Sequence, residues 1–455
     1  MRCKLSLPLT IDEVVEYTHA VNTGNMPSDR IKAICTDTRE LLSGDLFIAL
    51  NSEKDSGEKY IDVATGLGIP SLSTTRKPGT LYVESTTEAL LNLANGYIKR
   101  LNQLKQIIAV TGSVGKTTTK NMLHTIFSRS FATHSTPGNF NNLIGVPLTV
   151  LSMPKSTQVL ICECGMNHRG EISRLSKCLN PTISVITNVG TSHIGMLGSY
   201  EQILKAKCEI ADGMKAGYIL HPYSIKVDSY GNTLSVSDNG VLADLRFEII
   251  SRNSTGTSFN YYGKNIILEN ARFALGGIHT FNCLTYAVAA ADVVGIDAHR
   301  ILSAVAEIRE DTLRFKEYRL KDISIIDDSY NASYESISAA LKMMESREKA
   351  FDVVIGDILE LGEYAPVIHY EVGKAIARSG AKKAFLVGEY SDCVYTGARD
   401  GGMNEENIFV HRKTDNLDLL ASNIIKMHTP GALLLLKASH KIGLSRLLTY
   451  FEGGI

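Results

Sequence analysis

A chain of 455 residues exceeds what one hydrophobic core ordinarily supports, so two to four domains are expected and three is the working count. Hydrophobic residues make up 44% and charged residues 21%, which excludes a disordered or fibrous chain. The 47 basic and 48 acidic side chains leave a net charge of -1, too little for a general field that draws in nucleic acid or anionic lipid, so any bound anion must be held locally.

The N-terminal stretch MRCKLSLPLTIDEVVEY breaks its apolar run within a few residues, and no later run approaches bilayer-spanning length. Neither a targeting segment nor membrane insertion is expected. Residues 1–104 alternate short apolar segments (33–36, 45–50, 80–83) with polar turns and a helical stretch over 87–101, which predicts a small α/β domain. A new block opens at 105, where the apolar run 106–110 leads into a Gly-rich turn and then a helix, the entrance to a nucleotide site.

Strand-like runs at 159–163 and 183–188 alternate with amphipathic helices, which predicts a parallel sheet for the central domain, residues 105–313. Within it, 214–276 carries β-rich pieces at 233–236, 245–250 and 258–262 between Gly and Asn turns, expected as an antiparallel appendage. From 314 to 455 the runs 323–327, 351–355, 384–387 and 432–436 are separated by helical stretches, a second doubly wound unit of Rossmann-like type. The fold class is therefore α/β, in three domains: a small N-terminal one, a central P-loop ATPase and a C-terminal Rossmann-like one.

Eight cysteines are scattered along the chain, a usage that fits the reduced thiols of a cytoplasmic protein better than a disulfide framework. Cys162 and Cys164 have the spacing of half a metal site. No second Cys/His pair follows at zinc spacing, so both are expected as core thiols.

The sharpest chemistry lies in the run from Ala109 to Lys120, which contains Gly112-Ser113-Val114-Gly115-Lys116-Thr117-Thr118. Glycines let backbone amides turn inward around phosphate oxygens, the helix that follows adds its positive end, and Lys116 supplies a point charge. Thr117 is placed to put a hydroxyl on Mg²⁺. Only the second half of the general P-loop pattern is met, because Val110 stands where the pattern wants its first glycine.

Glu163 ends an apolar strand, so its carboxylate is expected at the carboxyl edge of the sheet, where nucleotides and their Mg²⁺ bind. His193 also follows a strand; taken alone it reads as a surface or capping histidine, and Lys207 alone reads as a solvated helix lysine.

Taken together these residues resemble the Mur ligase family. The matching segments are 111–120, Gly138 to Thr149, Thr187 to His193, Ala206 to Ile210, Asp327-Asp328-Ser329-Tyr330-Asn331-Ala332 and Gly356 to Gly362, in family order and over nearly the whole chain. The resemblance implies an ATP-dependent amide ligase that phosphorylates a carboxylate and lets an amine displace the phosphate. Lys116 is then a contact to the ATP phosphates, helped by Gly112, Ser113, Gly115 and Thr118. Thr117 and Glu163 hold one Mg²⁺ and His193 a second, and Lys207 is carbamylated by CO₂ into an anionic metal ligand. Arg314 and Asp328 are expected at the phosphates and ribose of ATP, and Asn282 at the base.

Implied substrates are a UDP-linked muramoyl peptide and D-alanyl-D-alanine. The uridine end falls to Asp37, Thr38 and Arg39, and the reacting ends to Asn139, Asn142, Tyr330 and Asn331. A monomer, with no nucleic acid or membrane partner, is expected.

The chain departs from the family pattern at Ser52-Glu53 and Ser56-Gly57-Glu58, at Thr280, at Ser333-Tyr334 and at His440. Two other readings stand beside the main one. The first is an amide ligase paralogue with another amine acceptor, in specialised metabolism or polyglutamylation. The second is a nucleotide-binding regulatory module without ligase activity, although the base-reading Asn-Lys-x-Asp run of GTPase switches is missing.

Overall fold

The computed structural model describes all residues except 25, 27–29, 52–54, 228–230, 254, 276, 310–315, 321–322, 348, 413–416 and 454–455. Arg314, Ser52 and Glu53 lie outside the described residues. Among the described residues three sheets form, of six, nine and six strands.

The first sheet runs Arg2–Thr10, Arg30–Cys35, Asp45–Ile48, Ser71–Ser73, Thr80–Tyr82, Val21–Asn22, parallel in its middle and antiparallel at both edges. Helix Thr86–Ile98 crosses from this unit toward the next. Ser85 caps it by accepting from the Glu88 N–H, and Leu90, Leu93, Ala94 and Tyr97 are fully buried, the one-sided pattern of a helix pinned by packing rather than by propensity.

In the central sheet the strand Gln106–Thr111 lies between Ile183–Ile186 and Val159–Glu163, all parallel. Every residue of Val159–Glu163 and Ile183–Ile186 is buried, as a sheet covered by helices on both faces requires. One covering layer pairs Lys116–Phe127 with Ile278–Val294. The second of these helices buries Phe281, Leu284 and an almost unbroken run from Ala287 to Ala291, so it is a core helix with no polar face.

The segment 214–276 is not an appendage. Tyr218–Pro222 pairs parallel with Ile183–Ile186, Thr233–Ser237 pairs parallel with it in turn, and Leu245–Asn253 starts parallel. Only Gly256–Tyr262 and Ile267–Phe273 add antiparallel. The short turns between these pieces suggested hairpins; the backbone instead uses them to extend the central sheet, and the aromatic cluster Phe247, Phe259, Tyr261 and Phe281 ties the extension to the core helix.

The third sheet runs Lys316–Leu320, Ile323–Asp327, Leu433–Lys437, Phe351–Gly356, Ala384–Val387, Ile408–His411, parallel except at its first pair. Cys162 and Cys164 are fully buried core thiols, and burial pushes the Cys162 thiol up to about 12. No helix of the described residues is long and apolar enough to cross a membrane.

Candidate active site

Strand Gln106–Thr111 ends in a loop from which helix Lys116–Phe127 starts at once. Gly112 and Gly115 have φ of 151° and 83°, and a Cβ at Gly112 would overlap the Thr187 hydroxyl, so a side chain is shut out of the turn. Asn188 accepts from the N–H groups of Ser113 and Val114, each at 2.9 Å, on its Oδ1. Thr187 donates its hydroxyl to the Val114 carbonyl at 2.6 Å, and Ser113 Oγ accepts from the Gly190 N–H at 2.9 Å. The loop is braced from the neighbouring strand end. The helix opens on Gly115, which gives it no side-chain cap, and Lys116 Nζ donates to the Gly112 carbonyl at 2.8 Å. A helix N-terminus of this kind holds anions through its amides and dipole.

Glu163, at the end of its strand, is fully buried. Its two oxygens accept from the Thr117 hydroxyl at 2.7 Å and from Asn141 Nδ2 at 2.8 Å. Hydroxyl and carboxylate oxygens side by side, within reach of a phosphate loop, are the hard donors that suit Mg²⁺, with phosphate oxygens and water completing its shell. Among the described residues no three His, Cys, Asp or Glu side chains form a metal cage by themselves.

His193 is the N-cap of the short helix Ile194–Leu197, at φ 65°, but its ring makes no capping bond. Instead Nδ1 meets Glu360 Oε2 at 2.6 Å, and that bond holds the Glu360 carboxyl below its ordinary range. Lys207 is not a solvated helix lysine: it is buried, only 2% exposed. Burial, and then the charge of Lys116, depress its ammonium well below the usual lysine value, with Glu335 opposing.

A cleft of about 850 Å³ joins these elements. Ser113, Gly115, Lys116, Thr117, Thr118, Asn139, Asn142, Glu163, His193, Asn282, Asp328, Tyr330 and Asn331 line it, whereas Gly112 and Lys207 are not among its lining residues. Asp328 pairs with the buried Lys437 at 2.6 Å, and Lys437 also donates to the Asn331 carbonyl at 3.0 Å, which shapes the loop between them. Tyr330 faces His440, ring to ring at 5.3 Å. Elsewhere in the cleft, Asn282 Oδ1 and His279 Nε2 have no hydrogen-bond partner among the described residues, and burial holds the His279 ring near pKa 4 and therefore neutral at pH 7. A separate cavity of about 450 Å³ in the N-terminal unit is lined by Thr36, Asp37, Thr38, Arg39 and Tyr60.

Residues 110–291 match the Mur ligase middle domain and residues 313–440 the Mur ligase glutamate ligase domain. The UDP-N-acetylmuramoyl-tripeptide–D-alanyl-D-alanine ligase of Bacillus subtilis (strain 168) is 33% identical over 440 residues, 92% of each chain. The chain belongs to the Mur ligase family. Among solved structures, that of MurF from Acinetobacter baumannii superposes with a TM-score of 0.88 at 27% identity, covering 99% of this chain and 100% of that one. That of a Thermotoga maritima MurF ligase in complex with ADP has a TM-score of 0.78 at 24% identity, over 92% of this chain and 96% of that one, and shares the fold.

As a Mur ligase the chain is an enzyme of the ligase class, in the three-domain α/β form of its relatives. Several residues of this Mur ligase site carried no individual reading in the sequence. Asn141 and Asn188 sit inside matched segments but look like ordinary polar loop residues until the fold aims them at Glu163 and at the phosphate loop. Glu335 and Glu360 come from the C-terminal unit, and nothing local signals that they reach the loop 189–198.

Proposed function

We propose that this Mur ligase joins the amine of D-alanyl-D-alanine to the terminal carboxylate of a UDP-N-acetylmuramoyl-tripeptide in the cytoplasm, turning ATP into ADP and phosphate, as a step of peptidoglycan precursor synthesis. The observation that carries this reading is the single cleft, lined at once by the phosphate loop, by Glu163 and His193, and by Tyr330, Asn331 and His440 of the C-terminal unit. Three reactants need one meeting place: the relative's name supplies the tripeptide and the dipeptide, and the phosphate loop argues for ATP as the third.

Lys116 and the helix N-terminus bind the ATP phosphates, and Asn188 keeps the loop in register for them. Asn282 offers its open oxygen to the base, and Asp328 reaches the ribose. Thr117 and Glu163 hold one Mg²⁺, while His193 and a carbamate on Lys207 hold a second. With its ammonium pushed below the usual lysine value, Lys207 sheds a proton to water more readily; the free amine attacks CO₂, its nitrogen forming the N–C bond and passing a second proton to water, which leaves an anionic oxygen ligand in place of the ammonium. Bound Mg²⁺ supplies the charge neutralisation that transfer of a phosphoryl group onto a carboxylate needs.

The carboxylate oxygen takes the γ-phosphoryl group, the dipeptide nitrogen then forms the amide bond at the carbonyl carbon, and the phosphate leaves with the original carboxylate oxygen. Asn139, Asn142, Tyr330 and Asn331 hold the reacting ends, and Asp37, Thr38 and Arg39 hold the uridine end in the second cavity. Arg314, expected at the phosphates, takes part in this reading from outside the described residues.

Phosphate release from ATP by the purified chain tests the reading, with tripeptide precursor and dipeptide offered separately, together, and with other amines in place of the dipeptide. Release is expected only with both partners. Preference for another amine would move the chain to a paralogue, and release with neither partner would make it a nucleotide switch.

A further inference from the structure

The loop 189–198 of the central unit meets the C-terminal unit through several hydrogen bonds. Thr191 donates its N–H to Glu335 at 2.6 Å, His193 Nδ1 meets Glu360 Oε2 at 2.6 Å, Gly195 N–H donates to the Glu360 carbonyl at 3.1 Å, and Tyr364 donates its hydroxyl to the Gly198 carbonyl at 2.8 Å. Glu360 itself stands at φ 65°, a left-handed conformation that a non-glycine residue keeps only where its surroundings hold it. Its neighbours hold it from behind: Ile358 N–H donates to the buried His369 Nε2 at 3.0 Å, and Leu359 N–H donates to Ser439 Oγ at 3.0 Å. Gly195 lies so close to this loop that a Cβ on it would overlap the backbone of Leu361 and Gly362.

We propose that Glu360 is a positioning residue for His193: by accepting from Nδ1 across the domain boundary it holds the ring so that Nε2 is the nitrogen left for a cation, and the His193 corner of the site is complete only when the C-terminal unit is docked. The bond selects between the two tautomers, because a carboxylate on Nδ1 accepts and so requires the proton there, and in that tautomer the lone pair is on Nε2. It also makes the ring a stronger ligand, as a carboxylate behind a metal-binding histidine does. The glycine at 195 is the steric condition for the approach, and the backbone bond from Gly195 to Glu360 keeps the two loops aligned along their length. Glu335 and Tyr364 dock the same seam without touching the imidazole.

This inference rests on the reading of His193 as a cation ligand, and one set of titrations separates the two. Mn²⁺ is titrated into the full chain with saturating ADP, and free Mn²⁺ is read by its paramagnetic resonance signal. His193→Ala is expected to weaken Mn²⁺ binding; Glu360→Ala is expected to reproduce a weakening of about 10-fold or more, Glu360→Gln a smaller one, and Gly195→Ala one like Glu360→Ala. Adding Glu360→Ala to His193→Ala should change nothing further. Because Glu360 is half-exposed at 43%, its variants are expected to unfold at the parent temperature. If His193→Ala weakens binding and Glu360→Ala does not, the positioning role of Glu360 is overturned. If His193→Ala binds Mn²⁺ like the parent, the reading of His193 falls and takes this inference with it.

Discussion

The two corners of the cleft that would neutralise charge are built in opposite ways. The Glu163 corner belongs to one unit: Thr117 in the first turn of helix Lys116–Phe127 and Asn141 in the loop before helix Gly145–Leu151 both donate to Glu163 at its strand end, while Asn188 braces the phosphate loop beside them. The His193 corner is shared between two units, since Glu335, on helix Tyr334–Ser346, and Glu360, in the loop after strand Phe351–Gly356, arrive from the C-terminal unit. A corner made within one sheet is rigid and ready for nucleotide. A corner made across a boundary ties its chemistry to docking, which in a ligase keeps water away from an activated carboxylate until all reactants are held.

The largest effect expected falls on the one-unit corner. Lys116→Ala should lower turnover by on the order of 10²–10³-fold or more while leaving the circular dichroism spectrum unchanged; near-parental turnover would remove the phosphate site. The shared corner is probed by Lys207→Ala, expected to lose activity that Lys207→Glu or added short carboxylates partly restore. Full activity of the alanine variant would make carbamylation irrelevant.

A smaller effect separates bracing from contact. Asn188→Ala leaves the N–H groups of Ser113 and Val114 without their shared acceptor, a loss of about 1–3 kcal/mol. ATP affinity is expected to fall about 10-fold, at a cost of about 1.4 kcal/mol, with less change in the affinity for the dipeptide. Equal losses for both ligands would mean that the whole cleft, not the loop, had given way.

The smallest effect concerns stability. The native state holds the Lys207 ammonium below its unfolded value, so the native state binds fewer protons than the unfolded chain. Stability then rises with pH from that depressed value up to about 10.4, and the full penalty applies below the window. In CO₂-free buffer Lys207→Met is expected to raise the unfolding temperature, by about 2–4 °C for each kcal/mol relieved, and by more at about pH 7 than at about pH 10. A gain that grew with pH would contradict the burial of a charge-bearing amine.

What could be read from residues alone follows from how local each signal is. A buried strand running into Gly-Lys-Thr needs only its own dozen residues, and Glu163 at a strand end needs only the sheet rule, so Lys116, Thr117 and Glu163 were legible while Asn141 and Asn188, which depend on the fold, were not. Lys207 was not: its neighbours in helix Tyr200–Cys208 look solvated, and only the packing of the surrounding elements buries it. Residues 214–276 misled in the same way, because Gly and Asn turns mark where strands end but not whether the next strand turns back or continues the sheet. Contacts across the domain boundary, such as Glu360 with His193, carry no sequence period at all.

The decisive measurement follows an oxygen atom. The tripeptide precursor is labelled with ¹⁸O in both oxygens of its terminal carboxylate and incubated with ATP, dipeptide and the purified chain. Phosphate carrying one ¹⁸O, beside an amide that keeps the other, is the expected result. Unlabelled phosphate formed alongside the amide would contradict phosphoryl transfer to the carboxylate in this cleft.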